Sequence, residues 1–154
     1  MNEQAQQNEG PTGAILHDLP SPYLPHQATG LLHLPRFIAK IRKHLAGELP
    51  PSYQRNFCHG FDGFLCAHLG IEPKAVIQLV EDCGEDEALF EKRLREMLPV
   101  NLAVHVWNRE LVQRGMSEMG SQRLEEVKAD MGIAHRKDII SFADLIDYDE
   151  GRLK

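Results

Sequence analysis

Helix-breaking residues fall so often along this chain that no long element fits between them. Beyond residue 34, Pro35, Gly47, Gly70, Pro73, Gly84, Pro99, Gly115 and Gly132 divide it into short segments. Proline suits the first turn of a helix, where its missing amide would be unpaired anyway, and glycine supplies the left-handed exit at the other end. Between these marks the apolar residues recur every three or four positions, the period of a helix with one buried face. Ile38, Ile41 and Leu45 follow Pro35, which predicts a helix over 35–46 with Gly47 as its exit. After a Pro-Pro loop, Phe61, Phe64, Leu65 and Leu69 form a stripe that stops at Gly70. Pro73 opens a third helix with Val76, Ile77, Val80 and Cys83 inward and Gly84 as its stop. A fourth is expected from Asp86 to Leu98, with Phe90, Leu94, Met97 and Leu98 facing the core. Its acids come first and Lys92, Arg93 and Arg95 later, the order that the helix dipole favours.

The segment after Pro99 fits two periods. Val100, Leu102, Val104 and Val106 alternate as in a strand, whereas Val104, Trp107 and Leu111 share one helical face. Asn101 is a good cap and the stretch from Trp107 to Arg114 lacks strand character, so a helix is expected. Leu124, Val127 and Met131 mark another, closed by Gly132. Ser141 and Asp144, three apart, form a reciprocal cap for a last short helix carrying Phe142, Leu145 and Ile146. The expected fold is all-α, an irregular bundle of about seven short helices rather than a long-helix bundle. It occupies residues 35–154 as a single domain, behind an arm over residues 1–34. Pro11, Pro20, Pro22 and Pro25 keep that arm mostly unstructured. Its first dozen residues are expected to be mobile, while Ile15, Leu16, Leu19, Tyr23 and Leu24 allow the second half to lie against the domain.

A chain of 154 residues, 42% of them hydrophobic, can bury one core without metal or disulfide staples. Acidic residues outnumber basic ones, 23 to 17, and the net charge of −6 works against nucleic acid or anionic lipid as a partner. Cys58, Cys66 and Cys83 are an odd number without the spacing of a secreted disulfide scaffold, which points to reduced thiols in the cytoplasm. Met1 to Gly10 lacks the pattern of a signal peptide and no apolar run is long enough to span a bilayer, so no membrane association is expected.

Several separated stretches, in order, carry a family resemblance. They are Leu34-Pro-Arg-Phe-Ile-Ala-Lys-Ile-Arg-Lys-His-Leu-Ala-Gly47, Asn56-Phe57, Gly60-Phe-Asp-Gly63 with Leu69-Gly-Ile71, Trp107-Asn108, and Ile146-Asp-Tyr-Asp-Glu-Gly-Arg152. Over about His17 to Arg152 the chain resembles a bacterial family known as domain of unknown function 5069. The resemblance implies no activity, and it brings no catalytic or ligand-binding residues to carry over.

Chemistry must therefore be read from the residues. The tail from Asp144 to Arg152 gathers Asp144, Asp147, Asp149 and Glu150 with one guanidinium. Oxygen-rich clusters hold hard cations, but Gly151 falls one position too early for a calcium loop and no closing glutamate follows. The structural reading lets Asp144 cap its helix while Arg152 pairs with Asp147 or Asp149 and pins the tail. The functional reading turns Asp147, Asp149 and Glu150 into a shared cleft. Arg36, Lys40 and Lys43 lie on one face of the first helix, either as its wet side or as a site for an anion or an acidic partner. If this basic face meets the acidic tail inside the molecule, each accounts for the other.

Cys58, His59 and Cys66, near Asp62, are the weak candidates for a soft metal, but no Cys-x-x-Cys pair exists and no metal site is expected. Cys58 beside His59 has no defined triad partner for nucleophilic work. Trp107 beside Asn108 offers a stacking surface and an orienting amide, although a tryptophan on an apolar helical face is more often packing. The eight histidines lack His-x-x-x-His or Glu-x-x-His spacing, and the phosphate-loop, dinucleotide and nucleophile-elbow patterns are absent, so no cofactor is expected.

Two functions fit these residues. The one slightly favoured is a non-enzymatic helical module that binds another protein through the arm or the charged faces. The other is a small enzyme, or a small-molecule or metal-binding protein, whose site combines Asp62, Trp107, Asn108, Asp147, Asp149, Glu150 and Arg152. The second requires those side chains to converge around one cavity.

Overall fold

A computed structural model describes residues 9–10 and 13–154. The expectation of mobility in the first dozen residues falls almost wholly outside the described residues. Two short strands, β1 (Glu9–Gly10) and β2 (Gly13–Ala14), pair antiparallel. Eight helices follow: α1 (Leu34–Leu45), α2 (Pro51–Gln54), α3 (Gly60–Leu69), α4 (Pro73–Cys83), α5 (Glu87–Met97), α6 (Val104–Gln113), α7 (Glu118–Asp130) and α8 (Phe142–Asp149). The chain is thus all-α, and the helix expected around Trp107 is present as α6. The one-turn α2 stands where a Pro-Pro loop was expected, because Pro51 occupies its first position and needs no amide partner there.

The breaks fall where the punctuation puts them. Gly70 and Gly132 leave α3 and α7 with left-handed φ of 70° and 77°. Asp86 caps α5 by accepting the Leu89 amide, and Ser141 caps α8 by accepting that of Asp144. The return bond differs from a reciprocal box: the Asp144 carboxylate accepts the Ile140 amide, one residue before the cap. Asn101 does not cap α6; the helix starts three residues later, behind Ala103, without a side-chain cap.

Apolar side chains divide into two clusters. The larger is built from α1, α3, α4, α5 and α6, around Phe37, Ile41, Leu65, Val80, Leu94 and Trp107. The smaller joins Leu124 of α7 and Leu145 of α8 to Ile133 and Ile139. The packed face of α3 carries Asp62, Leu65, Cys66 and Leu69, so Phe64, expected inward, stands 43% exposed. Met97 likewise sits toward solvent at the end of α5.

Residues 15–32 run without helix over the domain and bury Ile15 and Leu19, while Leu24 points outward. Trp107 and Asn108 fasten their end. The Trp107 indole N–H donates to the Leu32 carbonyl at 2.9 Å. The Asn108 amide donates to the Gly30 carbonyl and accepts the Leu32 N–H, each at 3.0 Å. Asn108→Ala strands both backbone groups, and we expect a loss of about 1–3 kcal/mol in urea unfolding. A change within error in the unfolding midpoint would show that water replaces the amide at no cost.

Candidate functional site

Between the two apolar clusters lies a cavity of about 660 Å³. One wall comes from α1, α2 and α3 and the other from α7 and α8, with Arg114 at the end of α6 between them. Phe61, Phe64, Val127, Met131, Phe142 and Leu145 make much of its surface apolar. Its floor is ionic and almost dry.

Two carboxylates organise that floor. Asp62, fully buried on α3, accepts a hydrogen bond from His33 Nε2 at 2.6 Å on one oxygen. Its other oxygen takes Lys40 Nζ at 2.7 Å and the Cys58 amide at 3.0 Å. Glu150, at the end of α8, receives both terminal nitrogens of Arg36 in a fork at 2.7 and 2.6 Å, the geometry that makes arginine–carboxylate pairs directional. Tyr53 and Arg152 donate to the same carboxylate.

Local sequence explains how Asp62 reaches this place. It lies three, four and seven residues before Leu65, Cys66 and Leu69, on the packed side of α3. Gly63 permits the turn beside it, since a Cβ there would stand 3.1 Å from the Cys58 carbonyl oxygen. Among the described residues the only non-glycine positions with positive φ are His33 at 73° and Cys58 at 67°. Both give a hydrogen bond to Asp62. Left-handed backbone costs a residue with a Cβ on the order of 1–3 kcal/mol, so the fold holds two unfavourable conformations around one carboxylate.

The protonation states follow from these neighbours. Burial lowers the His33 pKa and keeps the ring neutral, against the opposing pull of Asp62. Burial alone would raise Asp62, but the His33 hydrogen bond and the Lys40 charge overcome it and hold the carboxyl below its ordinary value. Glu150 is held low in the same way by Arg36, Tyr53 and Arg152. Stability is therefore expected to fall in two stages on acidification. Below the ordinary histidine value of 6.5 the unfolded chain takes up a proton that folded His33 refuses, so the unfolded state gains. His26, also lowered by burial, adds to this stage. Asp62 and Glu150 contribute fully above their ordinary values of 3.8 and 4.5, and that contribution is lost as pH falls through their lower folded values. Urea midpoints from neutrality downward check this; a flat profile as pH falls below 6.5 contradicts the His33 assignment.

The residues singled out from sequence are distributed as follows. Asp62, Asp149, Glu150, Arg36 and Lys40 line the cavity. Arg36 and Lys40 are 4% and 5% exposed, so this part of the basic face is turned inward, while Lys43 pairs with Asp18 at the surface. The basic face and the acidic tail do meet, through Arg36 and Glu150. Asp147 lies apart, joined to Arg152 and to Ser21 of the arm, and Arg152 also reaches the Leu19 carbonyl. Trp107 and Asn108 do not line the cavity; they hold the chain that leads into His33.

His59 stands at the cavity rim, Cys58 is partly covered and Cys66 is buried in the core. Burial raises the Cys58 thiol and pushes Cys66 up to about 12, which leaves both poor nucleophiles. Among the described residues no three His, Cys, Asp or Glu side chains gather to hold a metal ion. Sequence reading passed over His33, Tyr53 and Phe61. The available signal was Asp62 itself, a carboxylate on the buried stripe of an apolar helix, which must find donors somewhere.

Among the described residues no helix is long and apolar enough to cross a membrane. No curated protein matches the sequence. A family model does match residues 17–152, nearly the whole chain, and the protein accordingly belongs to the family described as Domain of unknown function (DUF5069).

Proposed function

We propose that this protein binds a small molecule in the cavity between α1–α3 and α7–α8, with the Asp62 and Glu150 clusters as its rigid polar floor. The observation that carries this reading is the convergence of buried, fully engaged ionic groups from α1, α3 and α8 beneath an apolar-walled cavity. A volume of about 660 Å³ suits a small organic ligand, and the cavity sets apolar side chains beside fixed polar groups as such sites do, with Arg55, Arg114 and Arg123 also in its lining. Because Arg36 and Lys40 are spent on Glu150 and Asp62, they position the floor and are not free receptors for an anion. Three free thiols fit a cytoplasmic setting.

Crystallographic screening with a library of small organic fragments tests the proposal. Hits are expected to concentrate in this cavity, against Phe61, Val127 and Leu145. A cavity left empty while fragments collect elsewhere overturns it. The interaction-module reading draws on the exposed Met116, Met119 and Ile140, and fragment hits gathered on those side chains would favour it instead.

A further inference from the structure

Resting on the cavity reading, we infer that His33 is the ligand's anchor, with Nδ1 accepting a hydrogen bond from a hydroxyl or N–H group on an otherwise apolar small molecule.

The tautomer follows from the partners. An ionised carboxylate only accepts, and Asp62 already receives Lys40 and the Cys58 amide on one oxygen, so the 2.6 Å contact on the other requires His33 Nε2 to carry the proton. In a neutral ring that leaves Nδ1 as a bare lone pair. Nδ1 is buried, and no group among the described residues hydrogen-bonds to it. A buried acceptor without a partner is costly, and most such atoms in folded proteins are satisfied. His33 is 1% exposed yet contributes to the cavity wall. It is fixed there by the Asp62 bond and by the left-handed backbone that Asn108 and Trp107 brace from behind.

The groups facing His33 support the same ligand class. Asp62 on α3 and Lys40 and Arg36 on α1 are the charges around it, and each has its own partner. Burial keeps the imidazole neutral, so its free nitrogen offers a lone pair and no proton. A ligand presenting only an ether or carbonyl oxygen there would set lone pair against lone pair, whereas a hydroxyl or N–H satisfies the nitrogen. Phe61 packs its ring against His33 at 5.5 Å between centroids and also lines the cavity. A ligand that reaches Nδ1 must displace part of this packing, and an aromatic ligand body can restore it against the imidazole.

The test compares para-cresol with its methyl ether, which keeps the apolar body and removes the donor. Affinities are measured by ligand-observed NMR, with the His33 ring nitrogens followed in protein labelled with ¹⁵N at histidine. Wild-type protein is expected to prefer para-cresol by at least about tenfold, and the Nδ1 resonance to move on binding. His33→Leu, which has no acceptor and tolerates the left-handed backbone only at a cost in stability, is expected to cut the preference to about threefold or less while the ether still binds, which shows that the cavity is intact. Equal affinities in the wild type, an unmoved Nδ1 signal, or a preference that survives His33→Leu each overturn the assignment and leave the cavity reading standing. Binding of neither compound in the cavity sinks both.

Discussion

Asp62→Asn is expected to lower the free energy of unfolding by about 3–5 kcal/mol, the usual cost of breaking a buried ion pair from one side. The variant keeps the volume and removes the charge. Lys40, with a side chain 6% exposed, is left as a cation in a dry site, and the new amide can no longer accept from His33 and Lys40 on both of its arms. Equilibrium urea denaturation with far-ultraviolet circular dichroism reads the effect directly. A loss below about 1 kcal/mol would mean that Lys40 swings to water or gives up its proton at little expense, and Asp62 would then not be the organiser of the floor. The double variant Lys40→Met with Asp62→Asn isolates the charge, since no cation is left unpaired while an amide oxygen still accepts from His33 or the Cys58 amide, and it is expected to regain part of the loss of Asp62→Asn.

The second large effect is expected for Glu150→Gln. Glu150 takes the forked bond from Arg36 and the bonds from Tyr53 and Arg152, so one carboxylate ties α8 to α1, to α2 and to the tail. Removing its charge leaves the Arg36 guanidinium buried without a counter-ion, at a cost of about 3–5 kcal/mol. The loss has a location as well as a size. Hydrogen exchange in α8 is expected to accelerate more than in α4 or α5, because α8 places only Ala143 in the larger apolar cluster and the Glu150 bonds tie its end to α1 and α2. Uniform acceleration over all helices would argue that the two clusters open together. A double-mutant cycle of Arg36→Met and Glu150→Gln should return a coupling of about 0.5–3 kcal/mol, and additive losses would deny that the two side chains act as a pair.

Much of the helix pattern is written locally. Pro35, Pro73, Gly70, Gly132 and Ser141 act on their own backbone or on residues within one turn, so their effect can be read without knowing what lies across the core. The same holds for Ile38, Ile41, Val76 and Val80, whose spacing alone gives the buried stripe. Asn101 illustrates the limit: a good capping residue stays unused when the following residues enter the helix later, behind Ala103. Phe64 illustrates another, because the buried face of α3 is chosen by what packs on it, and a charged Asp62 claimed that side.

What the amino-acid order by itself determined is the helical class, the breaks between helices and the helix at Trp107, since each depends on interactions three or four residues apart. Only the tertiary structure decided that Arg36 and Lys40 face inward, because charges on an amphipathic helix ordinarily face water and their partners lie 114 and 22 residues away. The cavity belongs to the same class of fact. It exists where two apolar clusters fail to close on each other, and His33, Asp62 and Glu150 meet there because folding brings distant segments together, a juxtaposition that no local periodicity encodes.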